Sequence, residues 1–312
     1  MSSSTISLLH LPNTAIKNVL KSSDVREFII FSTLSVRAKC LAKSIKWKSE
    51  SIWFNPQHGC LICDYRKDCI FFGDKGPNEP CPLLIKTLRE SDIQFAKPEF
   101  GVREWFKHFL FIFNHPKVHV QFVLWENDWV YSLESVQKLL EGSKIDRLEV
   151  FNAFGVLRHY PLINYLTLGN NDNGPGFISP KGLKHTRKAL LGNLPRVEIN
   201  RSFFFNLDTL LMMNCPEIES TGDLISDKEL NTFLKLWLKG CHRNLKRFSY
   251  RSRNWRGELS FRERIVLKGI KYDKEKGFDT HIFGAYHIFR KVDATKATVI
   301  LTDSSFKIIV HP

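Results

Sequence analysis

In this 312-residue chain the side chains best suited to hold a metal crowd into one stretch: Cys60-x-x-Cys63, then Cys69 and Cys81, with His58 just ahead. Thiolates and an imidazole in such a set are the ligands of a structural zinc site. The local pattern argues against that chemistry. Cys60-Leu-Ile-Cys-Asp-Tyr reads as strand, in which residues three apart point to opposite faces. A zinc knuckle needs a tight turn between its paired ligands, and no glycine follows Cys63 to make one. Eleven residues separate Cys69 from Cys81, so a second close pair is missing. The expectation is ordinary thiols and no metal ligand.

The second group is electrostatic. Between Asn231 and Gly257 stand eight basic residues and no acidic one, with Phe248, Tyr250 and Trp255 interleaved. Within it Arg243, Lys246, Arg247, Arg251, Arg253 and Arg256 are the candidate substrate-binding residues. A planar guanidinium takes a carboxylate or phosphate with two hydrogen bonds, which suits an acidic or phosphorylated protein segment. The same run suits nucleic acid, or is simply a solvated basic face.

No motif offers catalysis or a cofactor cradle. Neither Gly-x-x-x-x-Gly-Lys-Ser/Thr nor Gly-x-Gly-x-x-Gly occurs, and there is no Gly-x-Ser-x-Gly or His-Glu-x-x-His. The 11 histidines are scattered singly, and His159 or His185 alone reads as a solvated or satisfied side chain. No catalytic, cofactor-binding or metal residue is therefore assigned. Catalytic groups meet in space rather than in sequence, so missing motifs do not by themselves exclude an enzyme.

The elements that must position these groups follow from composition and periodicity. With 43% apolar residues the chain has material for a core, and 46 Lys+Arg against 32 Asp+Glu leave it at +14. No apolar run approaches the roughly 18 residues of a membrane span, and Met1–Leu11 lacks the basic start of a secretory signal. Seven cysteines, odd and sparse, suit reduced thiols in the cytoplasm or nucleus.

Three short helices are expected first. Pro12 opens one carrying Ile16, Val19 and Leu20; Asp24-Val-Arg-Glu27 starts a second with Val25, Phe28, Ile29 and Ser32 inward; Ser35 caps a third with Leu34, Ala38, Leu41 and Ile45 inward. Helices this short cannot bury all those side chains among themselves. Leu8, Leu9, Leu11 and Ile16 either remain open to a partner or pack on the rest of the chain. From Pro98 helices alternate with short strands: Val118–Leu124, Leu148–Asn152, Leu166–Asn170, Leu210–Asn214 and Phe248-x-Tyr250. Helices are expected around Val102–Phe113, Leu133–Leu140, Leu183–Leu191 and Leu230–Leu238. Strand followed by Asn and a helix is the form of a leucine-rich repeat, here with uneven spacing. Tyr286-x-Ile288, Ala297–Leu301 and Phe306–Val310 read as antiparallel strands. The fold class is α/β, α+β overall.

Two sets of residues resemble a known family. Leu11-Pro12, the Ile16/Val19/Leu20 helix and Phe28-x-x-Phe31-Ser-x-Leu-Ser-x-Arg37-x-Lys39 look like a nematode-type F-box. Asn206–Cys215, Glu229–Gly240 and Ile288-x-Arg290-x-x-Asp293 resemble the type 2 F-box-associated domain, with Ala294 where that family usually shows Gly. The resemblance implies three regions: an F-box-like helical domain at 1–47, a strand-rich connector at 48–97, and a leucine-rich-repeat-like substrate-recognition domain at 98–312. It also implies a function: a non-enzymatic substrate-recognition subunit of an SCF-type cullin-RING ubiquitin ligase. Leu8, Leu9, Leu11, Pro12, Ile16, Val19 and Leu20 would then dock the small adaptor subunit, and the C-terminal region would hold a protein substrate, acidic or phosphorylated. The alternative is a basic nucleic-acid-binding protein whose helical start is a packing module.

Overall fold

The computed structural model describes residues 8–47, 51–56, 59–64, 68–72, 83–87, 93–114, 117–122, 132–151, 154–160, 163–169, 180–200, 205–222, 225–252, 261–275 and 282–312. At 59–64, 68–72, 83–87, 93–94, 154, 180–183 and 282–283 only the backbone is described. The chain divides into two compact units, Met1–Phe122 with Glu126–Asp146, and Val123–Trp125 with Arg147–Pro312.

The first unit opens with a 3-10 turn at Leu8–His10 and three helices, α1 (Asn13–Ser22), α2 (Val25–Thr33) and α3 (Val36–Ser44). Their starts follow the sequence: Asp24 accepts from the Glu27 backbone N–H and Ser35 from that of Ala38. Ile16, Leu20, Phe31, Ala38 and Leu41 form a buried cluster, with Leu8, Leu9, Leu11 and Ile45 packed against it. Leu34 departs from expectation, because α2 ends there and leaves it 57% exposed.

Strands β1 (Ser51–Asn55), β2 (Gly59–Asp64), β3 (Asp68–Phe72), β4 (Leu83–Thr87) and β5 (Ile93–Phe95) form an antiparallel meander. Cys60 and Cys63 lie in β2, the strand the spacing calls for, with Cys63 in register with Cys69 of β3. After the meander come α4 (Val102–Ile112), β6 (Lys117–Phe122), parallel to β1, and α5 (Leu133–Leu140). Helix α4 is joined to the N-terminal helices through buried groups. His108 Nε2 lies 2.8 Å from Ser32 Oγ, and the Phe28 and Phe113 rings are 5.9 Å apart. Burial, then the nearby Lys39 and Lys97 charges, push the His108 imidazole down to about 4.

The second unit is a sheet of parallel and then antiparallel strands. β7 (Ile145–Phe151), β8 (Tyr165–Gly169), β9 (Arg196–Asn200), β10 (Glu217–Gly222) and β11 (Arg247–Ser252) run parallel in that order. Between them lie a 3-10 helix at Phe154–His159 and helices α6 (Pro180–Leu190), α7 (Leu207–Met212) and α8 (Asp227–Leu238). After α9 (Glu263–Val266) and β12 (Asp273–Lys274), strands β13 (Ile282–Phe289), β14 (Lys296–Thr302) and β15 (Ser305–Val310) are antiparallel, and β15 pairs with β11.

Two sequence expectations are corrected here. Leu210–Asn214 is not a strand: Asn206 caps a helix over Leu207–Met212 by accepting from the Thr209 N–H, and the strand follows at Glu217. Leu191, expected inward on the preceding helix, is 59% exposed just beyond the end of α6. With β9 and β10 restored, the register partners Leu148, Leu166, Val197, Ile218 and Phe248 lie 18, 31, 21 and 30 residues apart. A ladder of asparagines marks the repeat. Asn214 Nδ2 donates to Asn193 Oδ1 at 2.7 Å and Asn244 Nδ2 to Asn214 Oδ1 at 3.0 Å. Each stands three residues before its strand, β9, β10 or β11.

The two family-like strings at 229–240 and 288–298 pack on one another. Leu230, Phe233, Leu234 and Trp237 are buried, and the Arg290 guanidinium lies 4.7 Å from the Trp237 ring centre. The Lys291 N–H donates to Leu238 O at 2.9 Å. Asn231 Nδ2 donates to the carbonyls of Val266 and Lys268, fixing the α9 segment against α8. Hydrogen bonds from Thr295, with Arg290 beside it, hold the Asp293 carboxyl below the usual carboxylate range. Ala294 sits at φ 57°, the left-handed conformation that glycine takes without cost.

Candidate functional site

The first candidate surface is on the N-terminal helices. Pro12 stands at the N-cap of α1 and is exposed, and Leu8, Leu9 and Leu11 are half-buried. Arg37, on α3, ties this segment down: it donates to Leu9 O at 2.9 Å, to Leu11 O at 3.5 Å and to Asn13 Oδ1 at 2.7 Å. A guanidinium supplies several donors in a fixed plane, so one side chain can satisfy carbonyls that precede a helix start. Ile16 and Leu20 are corrected: both are 1% exposed or less, consumed by the helical cluster because they share the inward stripe of α1. Val19, one of the expected residues, is left in solvent at 45%, and Leu34 at 57% and Val36 at 81% are exposed beside the expected set.

The second candidate surface is one face of the parallel sheet. Alternation sends Leu148, Val150, Leu166, Leu168, Val197, Ile199, Ile218, Phe248 and Tyr250 into the core. The opposite face carries Arg147, Tyr165, Arg196, Glu217 and Arg247 in one cross-strand row. Glu149, Thr167, Glu198, Glu219, Ser249 and Lys307 make the next row.

The two halves of this face differ in charge balance. From β7 to β10 the charges are held in ion pairs, two arginines among four glutamates. Arg147 pairs with Glu149 at 2.7 Å and Glu198 at 3.4 Å, and Arg196 pairs with Glu219 at 2.9 Å. The Tyr165 ring is flanked by both guanidiniums, 4.2 and 4.6 Å from its centre, and its hydroxyl donates to Glu198. Burial and that carboxylate push the phenol up to about 12. At β11 and β15, by contrast, Arg247, Arg251 and Lys307 form no ion pair among the described residues. Such a cationic edge, beside a half whose charges are tied up in pairs, attracts carboxylates or phosphates on an extended segment.

The basic run of the sequence is thereby divided. Arg247 and Arg251 reach the open face, while Arg243 and Lys246 are exposed in the turn between α8 and β11. Arg253, Arg256 and Trp255 lie outside the described residues. Phe248 and Tyr250 are core, not an aromatic platform; the Tyr250 hydroxyl donates to Gly222 O at 2.6 Å and accepts from the Ile225 N–H. Lys307 and the Arg147–Tyr165–Arg196 stack escaped the sequence reading. For Arg196 and Tyr165 the signal was alternation in Arg-Val-Glu-Ile-Asn and Tyr-Leu-Thr-Leu-Gly, where polar and apolar residues take turns. Among the described residues no three His, Cys, Asp or Glu side chains converge as a metal site requires, and no helix is long and apolar enough to cross a membrane.

Residues 185–250, spanning most of α6 through β11, match the family model described as F-box associated. Over 319 aligned residues, covering 97% of this chain and 97% of the relative, the chain is 26% identical to the F-box associated domain-containing protein sdz-33 of Caenorhabditis elegans. No solved structure matches the chain. The matched region includes the strings at 206–215 and 229–240 that first suggested the resemblance.

Proposed function

We propose that this protein is the substrate-recognition subunit of an SCF-type cullin-RING ubiquitin ligase, working in the cytoplasm or nucleus and making or breaking no bond itself. The N-terminal helices dock the small adaptor subunit, and the open sheet face of the second unit holds an acidic or phosphorylated protein segment. The observation that carries the reading is the division of the sheet face into an ion-paired half and an unpaired cationic edge at Arg247, Arg251 and Lys307. It is supported by the match of residues 185–250 to the F-box-associated model and by the exposed Val19, Leu34 and Val36 on the helical segment. Mechanically the chain acts through proximity: holding substrate beside the ligase raises its effective concentration at the ubiquitin-transfer site.

The test uses the full chain. Co-purification with the adaptor and binding of a glutamate-rich phosphopeptide are compared between the wild type and Arg247→Glu/Arg251→Glu. Peptide affinity is expected to fall about tenfold or more while adaptor binding stays intact, because the two charges face the peptide and not the helices. Absence of adaptor binding in the wild type removes the ligase assignment. Retention of nucleic acid instead, weakening steeply with salt, replaces it with the alternative reading.

A further inference from the structure

We infer that the second unit holds a binding site for a small organic anion, in the cavity between the 3-10 helix Phe154–His159 and α6. The cavity has a volume of 540 Å³, within the range of small-molecule sites. Its apolar wall is made by Leu157, Ile163 and Leu194, all under 9% exposed. Its polar side chains include Arg158, His185 and Lys188, and among the described residues no carboxylate lines it.

Two observations point to an anion rather than to a merely solvated hollow. The chain from Asn173 to Val197 contains no Asp or Glu, so the cations of α6 have no local acid to answer them. His185 and Lys188 form no ion pair among the described residues, unlike Arg147 and Arg196 on the sheet face. Arg158 is oriented by its own bond, Nε donating to His159 Nε2 at 2.6 Å, which leaves its terminal nitrogens for a ligand. The chemistry that fits is a carboxylate or phosphate carried on a compact apolar body. The anionic group meets Arg158, Lys188 and His185, and the body lies on Leu157, Ile163 and Leu194.

The site is independent of the proposed ligase role and is tested without it. Phenyl phosphate serves as the probe, with benzyl alcohol and inorganic phosphate as the uncharged and body-less comparators, titrated calorimetrically into the full chain. Saturable one-to-one binding of phenyl phosphate is expected, at least tenfold tighter than either comparator and weakened at least tenfold in Arg158→Ala/Lys188→Ala. Both side chains are exposed, so this pair leaves the fold intact. A filled cavity, Ala189→Trp, is expected to abolish binding, and a thermal melt checks that the variant remains folded. Failure of phenyl phosphate to saturate overturns the inference. So does equal affinity for a comparator, or wild-type affinity in the charge pair. Binding retained by a folded Ala189→Trp chain overturns it as well.

Discussion

The two ends of the chain carry family-like strings of similar length, and they use their residues in opposite ways. At the N-terminus, Leu-Pro and the Ser-x-Arg stretch build a small cluster whose margin is left in solvent: Val19, Leu34 and Val36 are exposed, and Arg37 holds the Leu9–Asn13 segment from outside. At the C-terminus, the strings at 229–240 and 288–298 are spent on each other, with Arg290 against Trp237 and Lys291 bonded to Leu238. A specific string is therefore not in itself a binding site. Burial separates the string left partly in solvent from the string that holds a fold together.

The comparison can be broken most directly at Trp237. Replacement by Ala leaves a large void under Arg290, and a loss of about 3–5 kcal/mol is expected. Chemical denaturation should show this as an early transition of the second unit, with little change in adaptor co-purification. Equal loss of adaptor binding would mean that the two ends are not used differently.

A second test concerns the join between α4 and the N-terminal helices. His108 titrates near 4 in the folded protein against an ordinary 6.5. Between those values the unfolded chain takes up a proton that the folded chain refuses. Stability is therefore full above about pH 6.5 and declines as pH falls toward 4, by up to about 3 kcal/mol. Thermal melts from pH 7.5 to 4.5 should show that slope, and His108→Phe should flatten it.

Arg37→Ala tests the outward string. Its hydrogen bonds are exposed, so the expected loss is only about 1 kcal/mol. It should appear as about fivefold faster amide exchange across residues 8–13 and weaker adaptor binding, without a lower melting temperature for the second unit. The smallest effect is a gain. Ala294 occupies the left-handed region at φ 57°, so Ala294→Gly should stabilise the β13–β14 turn by about 0.5–1 kcal/mol. A melt unchanged or lowered by that substitution would show that the turn carries no strain.

Much of this architecture is legible from local rules. The caps at Asp24, Ser35, Ser132 and Ser226 and the antiparallel C-terminal strands stand where capping chemistry and alternation put them. The failures share a physical cause. Leu210 and Met212 mimic a strand because a helix of under two turns is too short to display its own period, and Asn206, its cap, was the better signal. Strand β9 was passed over because a half-exposed strand in a charged ladder has only Val197 and Ile199 to announce it. On the candidate surfaces, sequence assigned Ile16 and Leu20 outward, since an apolar stripe does not say how much of it the neighbouring helices consume. The cavity at His185 was invisible for another reason. Arg158, His185 and Lys188 come from two elements separated by strand β8, and no spacing rule joins them.

Strand β15 has a consequence for how the protein is made. It lies between β14 and β11, bonded to both, so among the described residues it joins the antiparallel and parallel parts of the second unit's sheet. It is also the latest of these strands to leave the ribosome. Until Ser305–Val310 emerges, β11 keeps an unsatisfied edge and Phe306 and Ile308 are missing from the core. The second unit must therefore wait for Ser305–Val310 before it closes, a period in which chaperones are its natural company. A stop codon at Ser305 would remove this keystone, and its product should be cleared by the cell as thoroughly as one truncated mid-chain.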